Sequence, residues 1–200
     1  METLYQRLQT AFQSTSVRRP RDLARHGITR MQLQAAVASG FVQRAGRGLY
    51  LLADFAEVTE KHTLAEVSQR IPKGTFCLLT ALRFHELTTQ NSPEIWVALA
   101  PSAWRPRLDT VKVRIVHFSG PALEEGMEQR QVEGIPVKVY NPAKTVADCF
   151  KFRHKIGLDV ALEALRETWR ARRATMKELE HYAQIDRVAK VMRPYLETLT

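Results

Sequence analysis

Two hundred residues with 44% hydrophobic side chains are enough for one large domain or two small ones around an ordinary core. The 30 lysines and arginines against 21 acidic residues give a formal charge of +9, which favours polyanionic partners, whether nucleic acid, acidic protein or a membrane surface. Cys77 and Cys149 stand alone and far apart, which excludes a disulfide framework or a cysteine metal knuckle, and no apolar run nears the ~18 residues of a membrane span. The start METLYQRLQTAF is charged and amphipathic, unlike a signal peptide, so a reduced, cytoplasmic setting is expected.

Leu4, Leu8, Ala11 and Phe12 recur at helical intervals and predict a first helix ending near Ser14-Thr15-Ser16. Pro20 suits the first turn of a short second helix, Arg21 to His26, stopped by Gly27. Thr29-x-x-Gln32 is a capping box that starts a third helix. Leu33, Ala36 and Val37 take one face of it up to Gly40, and Arg30, Gln34 and Ala38 take the other. Phe41-Val42 and Leu49 to Leu52 read as short strands around Gln43 to Gly48, a hairpin whose tip needs positive φ.

Helix, helix, turn, helix, hairpin is the layout of a winged helix-turn-helix, in which the third helix enters the major groove and the hairpin tip reaches phosphates or minor groove. From Ser16 to Leu52 there are seven arginines, no lysine and one acidic residue, Asp22, a net +6. The planar guanidinium fork matches phosphate oxygens and guanine edges better than an ammonium does. The alternative is a helical subdomain with a solvated arginine face.

Ala53 to Glu60 is acidic, and Leu64, Val67 and Ile71 carry helical spacing up to Pro72-Lys73-Gly74. Thr75 to Leu87 reads as an apolar helix, and Ile95 to Leu99 as a buried strand. Val111, Val113 and Ile115 alternate with polar residues as a strand, as do Ile135, Val137 and Val139 after the Glu133-Gly134 turn, with Gly126 to Val132 as partner strand. Asn141-Pro142 opens a helix with the buried stripe Ala143, Val146, Ala147 and Phe150. Leu158, Leu162, Leu165 and Trp169 supply another stripe, Thr175-x-x-Glu178 caps the next helix, and a last amphipathic piece runs from Asp186 through Val188 and Met192 to Leu196.

The expected fold is therefore α+β: a winged helix-turn-helix over residues 1–60, then a mixed α/β domain over 61–200 with a small sheet and C-terminal helices. Lys151, Arg153 and Lys155 with Arg170, Arg172 and Arg173 form a second basic region, equally readable as a solvated helix face.

Catalytic patterns are missing from the sequence. His85-Glu86 lacks the second histidine of HExxH, no D/E-x-K or D-x-D occurs, and Gly46-Arg47-Gly48 lacks the GK[ST] ending of a P-loop. Ser14, Ser16 and Ser119 have no nucleophile elbow. A non-enzymatic protein without cofactor or metal is expected.

With these residues in view, the chain resembles the AbiEi family, the antitoxins of bacterial type IV toxin-antitoxin systems. The resemblance is carried by PRDLARHGITRMQLQAAVASGFVQRAGRGLYLL, TALRFHELT, PEIWVALAP and VEGIPVKVYNPAKTVADCFKFRHKIGLDVALEAL, with YNPAKTVADCFKFR the most specific phrase. It implies a repressor of its own operon that binds inverted repeats near the promoter. The C-terminal domain would counteract a nucleotidyltransferase toxin without a stable complex, and the protein would be a monomer or weak dimer on DNA. Among the basic wing and helix positions, Arg30, Arg44 and Arg47 match. The residues alone place Arg30, Gln32 and Gln34 at base edges and Arg18, Arg19, Arg21, Arg44 and Arg47 at phosphates or the minor groove, with Thr29 at the helix start. An adaptor that binds a protein or structured RNA through the C-terminal domain is the competing reading.

Overall fold

The computed structural model describes residues 3–13, 15, 17–52, 60–90, 92–104, 108 and 111–199. The chain separates into two compact units: Met1–Pro72 with Pro106–Val111 and Arg130–Val137, and Lys73–Arg105 with Lys112–Gln129 and Lys138–Thr200. Together they are a mixed α and β fold with small sheets.

In the first unit, α1 (Leu4–Phe12), α2 (Pro20–Arg25) and α3 (Arg30–Ala38) precede a hairpin of β1 (Val42–Gly46) and β2 (Leu49–Leu52), followed by α4 (Glu60–Arg70). Local chemistry sets the ends. Thr3 and Thr29 each accept a hydrogen bond from the backbone N–H three residues on, while Gln6 and Gln32 reach back to close capping boxes on α1 and α3. Gly27, at φ +70°, ends α2: its N–H donates to Ala24 O at 3.0 Å and that of Ile28 to Leu23 O at 3.1 Å, the paired bonds of a Schellman stop.

The Leu49 to Leu52 run is apolar throughout because β2 is buried on both faces. Tyr50 and Leu52 join Leu8, Phe12, Leu23 and Leu33 in one core cluster, whereas Leu49 and Leu51 join Val17, Ala65 and Ile135 in another. β1 runs further than expected, through to Gly46, so the tip shrinks to Arg47–Gly48. A register shift between Arg44 and Gly46 places Ala45 inward and leaves Arg44 exposed. The acidic stretch 53–59 lies outside the described residues.

The second unit opens with β3 (Thr75–Phe76) and α5 (Leu78–Phe84), where one helix over 75–87 is expected from sequence. Thr75 and Phe76 instead pair antiparallel with Ala98 and Val97, and Phe76 lies parallel to Val139, so sheet hydrogen bonds override the helical pattern. At the other end, Glu86 turns to φ +60° and the Leu87 N–H donates to Leu82 O at 2.8 Å, a helix stop without glycine.

β4 (Ile95–Leu99) and β5 (Val113–His117) are parallel; α6 (Pro121–Glu124), β6 (Met127–Val132) and β7 (Ile135–Tyr140) follow, and the sheet order is β5-β4-β3-β7-β6. The Glu133 and Gly134 turn, which with the adjoining ends of β6 and β7 belongs to the first unit, has positive φ at both residues, 50° and 72°, as a two-residue hairpin of type I′ requires.

Five helices complete the unit: α7 (Pro142–Lys151), α8 (Arg153–Ile156), α9 (Leu158–Arg170), α10 (Met176–Ile185) and α11 (Ala189–Leu196). Asn141 caps α7, its side-chain oxygen accepting the Lys144 N–H at 2.8 Å. The buried stripe of α9 is shifted from the expected one: Leu158 is 38% exposed, and Val160, Ala161, Ala164, Leu165 and Thr168 face inward. The two alanines allow close approach to α7, which packs against α9. Among the described residues, no helix is long and apolar enough to cross a membrane.

Every residue from Ala143 to Phe150 is buried, including Lys144 and Asp148. The Lys144 ammonium bonds Asp148 Oδ1 and, at 3.2 Å, Asp186 Oδ2; Asp186 Oδ1 also takes Lys151 Nζ at 3.3 Å. The rings of Phe118 and Tyr140 each lie 4.7 Å from Lys144 Nζ. Asp186, the C-cap of α10, is thereby tied to α7.

Lys144→Met removes the cation between two buried acidic side chains and is expected to cost about 3–5 kcal/mol in urea unfolding, whereas Asp148→Asn keeps the shape and costs less. Burial, outweighing Lys144, holds the Asp148 carboxyl well above the usual range. Its contribution to stability is then greatest below about pH 4 and is lost as pH rises through the raised folded value. Comparing D148N with wild type in unfolding series across pH should show the balance moving toward the variant as pH rises; a constant difference contradicts this.

Candidate nucleic-acid interface

The side of α3 turned away from the core carries Arg30, Met31, Gln34, Ala35 and Ala38, all exposed, while Leu33 and Ala36 are buried beneath. Met31 is 79% exposed. It sets an unbranched, polarisable side chain in water beside Arg30 and Gln34, which sequence reading missed because Met31 also fits an amphipathic pattern. The small Ala35 and Ala38 leave room for another surface to approach.

Thr29 and Gln32 stand at the start of this face, with side chains engaged in the capping box: Gln32 N donates to Thr29 Oγ1 at 3.2 Å and Thr29 N to Gln32 Oε1 at 3.0 Å. They hold the helix end in place, and Arg30 follows directly.

The hairpin against which α3 packs through β1 presents two arginines. Arg47 is exposed at the turn before Gly48, whose φ is +74°, a conformation open to glycine at little cost. Arg44 is exposed but steered: Nε donates to Tyr50 Oη at 3.3 Å, and the guanidinium carbon lies 5.7 Å from the Tyr50 ring centre.

The Arg18, Arg19 and Arg21 group divides by role. Arg18 exchanges two backbone hydrogen bonds of 2.9 Å with Tyr50, and its Nε donates to Ala11 O at 2.7 Å. Arg19 donates to Gln69, from Nε to the side-chain oxygen at 3.3 Å and from Nη2 to the backbone carbonyl. Arg21 is 74% exposed, and its Nε lies 3.8 Å from Asp22 Oδ1. So Arg21, Arg30, Arg44 and Arg47 offer charge outward, whereas Arg18 and Arg19 spend much of theirs inside the unit.

One arginine of this surface lies outside the segment that drew attention in the sequence. Arg70, in the last turn of α4, reaches over Gly46: a Cβ built there would come 1.8 Å from Arg70 Nη2 and 2.9 Å from Glu66 Oε1. Only glycine leaves space for that crossing. The glycine is visible in the sequence, but its partner is 24 residues on.

In the second unit, His85 Nε2 lies 2.7 Å from Tyr140 O, a structural contact. Lys151 faces Asp186, and Lys155 sits 5.4 Å from the Phe152 ring centre, so part of the second basic region serves packing. Burial pushes the thiols of Cys77 and Cys149 well up, away from nucleophilic use. Among the described residues, no group of three or more histidine, cysteine or acidic side chains is placed to hold a metal ion.

No family model matches the chain, and no curated protein is found to be similar to it.

Arg18→Ala removes a charged hydrogen bond inside the unit and is expected to cost about 1.5–3 kcal/mol, while Arg47→Ala stays within about 0.5 kcal/mol of wild type. Denaturant unfolding of the two variants checks this division; equal stabilities would contradict it.

Proposed function

We propose that the protein is a DNA-binding transcriptional autorepressor of the AbiEi antitoxin kind, with a winged helix-turn-helix in its first unit and an α/β second unit that counteracts a nucleotidyltransferase toxin. The observation that carries the DNA reading is the exposed side of α3, where Arg30, Met31 and Gln34 stand together, flanked by a hairpin that exposes Arg44 and Arg47. In the major groove Arg30 suits guanine, Gln34 suits adenine, and Met31 suits a thymine methyl group. Arg21, Arg44 and Arg47 suit phosphates or the minor groove, which fix position more than sequence. Inverted repeats at the protein's own promoter are the expected operator, bound by a monomer or a weak dimer.

The antitoxic half of the reading rests on the resemblance in YNPAKTVADCFKFR. In that phrase α7 is a buried scaffold, so the surface that opposes the toxin belongs to other residues of the unit, and no stable complex with the toxin is expected. Trp104, 79% exposed, favours the adaptor reading, since a bare indole is a ready anchor for a protein or an RNA base.

Gel shifts with DNA upstream of the protein's own gene, against random duplex over a salt series, test the repressor. Arg47→Ala should weaken binding to all sequences and reduce the slope of log affinity against log salt by about one. Gln34→Ala should change base preference while leaving the slope. No preference of the wild type for upstream DNA would remove the repressor reading.

A chain with Arg30, Gln34 and Arg47 all replaced by alanine, supplied from an unrelated promoter, should still rescue cells from the neighbouring nucleotidyltransferase toxin. Loss of rescue in this DNA-binding-deficient chain would tie protection to repression and end the claim of a separate antitoxic unit. If Trp104→Ala alone abolished rescue, the adaptor reading would take its place.

A further inference from the structure

A pocket of about 380 Å³ opens in the first unit, lined by Arg19, Arg21, Arg47 and Arg70 together with Gln69. Its volume is at the low end of the ~300–1,000 Å³ range of small-ligand sites. Four guanidiniums share it, and no aspartate or glutamate is among its described lining residues. The nearest compensation is Asp22, 3.8 Å from Arg21, and Glu66, whose Oε1 lies beside Arg70 over Gly46. Among the described residues, four positive charges stand against these two negative ones. Like charges converging on one cavity repel unless an anion enters.

The walls are prepared in different degrees. Gln69 holds Arg19 through its side chain and its backbone carbonyl. Arg70 lines the pocket and passes over Gly46, where the lack of a side chain leaves room for its Nη2, and its Nε is buried with no hydrogen-bond partner among the described residues. Arg21 and Arg47 enter from the exposed side. Fixed and exposed guanidinium forks around one cavity suit the several oxygens of a phosphate, which accept paired N–H bonds.

We propose that this pocket is a phosphate-binding site, with Arg19, fixed by Gln69, and Arg70 on its inner wall and Arg21 and Arg47 closing on the anion. The ligand chemistry is a phosphate ester, carried either by a nucleic-acid backbone or by a free phosphorylated molecule. The site adds Arg70, from α4, to residues otherwise assigned to the DNA face, and it does not depend on DNA being the source.

The test follows the arginine Nε–Hε NMR signals of the full chain during titration with inorganic pyrophosphate at constant ionic strength. Saturable shifts of the Arg19 and Arg70 signals are expected, with affinity falling about tenfold in Arg70→Gln, the loss of one charge-assisted bond. Because Arg70→Gln could loosen the hairpin, Arg21→Ala, which removes an exposed side chain, must also weaken binding severalfold. Shifts no larger than those caused by chloride, or unchanged affinity in Arg21→Ala, overturn the proposal.

A duplex of upstream DNA then separates the sources. Displacement of pyrophosphate by the duplex assigns the site to backbone phosphate; simultaneous binding of both assigns it to a free phosphate ester and leaves the DNA reading intact. A duplex that binds while pyrophosphate does not defeats this site alone, and failure of both defeats both.

Discussion

The two backbone hydrogen bonds between Arg18 and Tyr50 are what the candidate interface depends on. They join the segment between α1 and α2 to the second strand of the hairpin, and the Arg18 side chain ties the same point to Ala11 near the end of α1. Tyr50 then meets Arg44 through its hydroxyl and its ring, so one residue pair sets both where the hairpin sits and where one of its arginines points. Such fixing suits the proposed duplex partner, because contacts ordered in advance cost less entropy on binding.

Local signals made much of this unit legible. The capping box at Thr29 and Gln32, Gly27 as a helix stop and Gly48 at the tip each act through neighbours a few residues away, and chemistry of that range is written in the sequence. Helix stops at positive φ differ in how far they show: Gly27 and Gly40 announce themselves, whereas Glu86, Arg172 and Arg187 adopt the same backbone region with ordinary side chains. Each of those three is closed by the next N–H bonding back five residues, Leu87 to Leu82 O, Arg173 to Thr168 O and Val188 to Ala183 O, and the helix expected to reach Leu87 stops at Phe84.

Longer-range partners were not legible. Thr75 and Phe76 become a strand only because Val97, Ala98 and Val139 are already there to pair with them. Arg70 joins the hairpin surface because Gly46 has no side chain to block it. Lys144 shows the limit most clearly: it falls outside the apolar stripe expected for this helix, yet it is fully buried between Asp148 and Asp186. Asp186 is 42 residues away, and nothing local links them.

Lysine and arginine thus carry the formal charge in different ways. A buried ammonium such as Lys144 offers three compact donors that two acidic side chains can take up, so it contributes to holding α7 and α10 together. The arginines of Ser16 to Leu52 keep a planar fork that can serve the fold on one edge and an anion on the other: Arg19 gives Nε and Nη2 to Gln69 and still lines the pocket with Arg21, Arg47 and Arg70. An all-arginine segment is therefore more than a basic one. The same side chains can fix the hairpin and present charge, which a lysine, with a single ammonium at the end of a flexible stem, could do only by choosing one task.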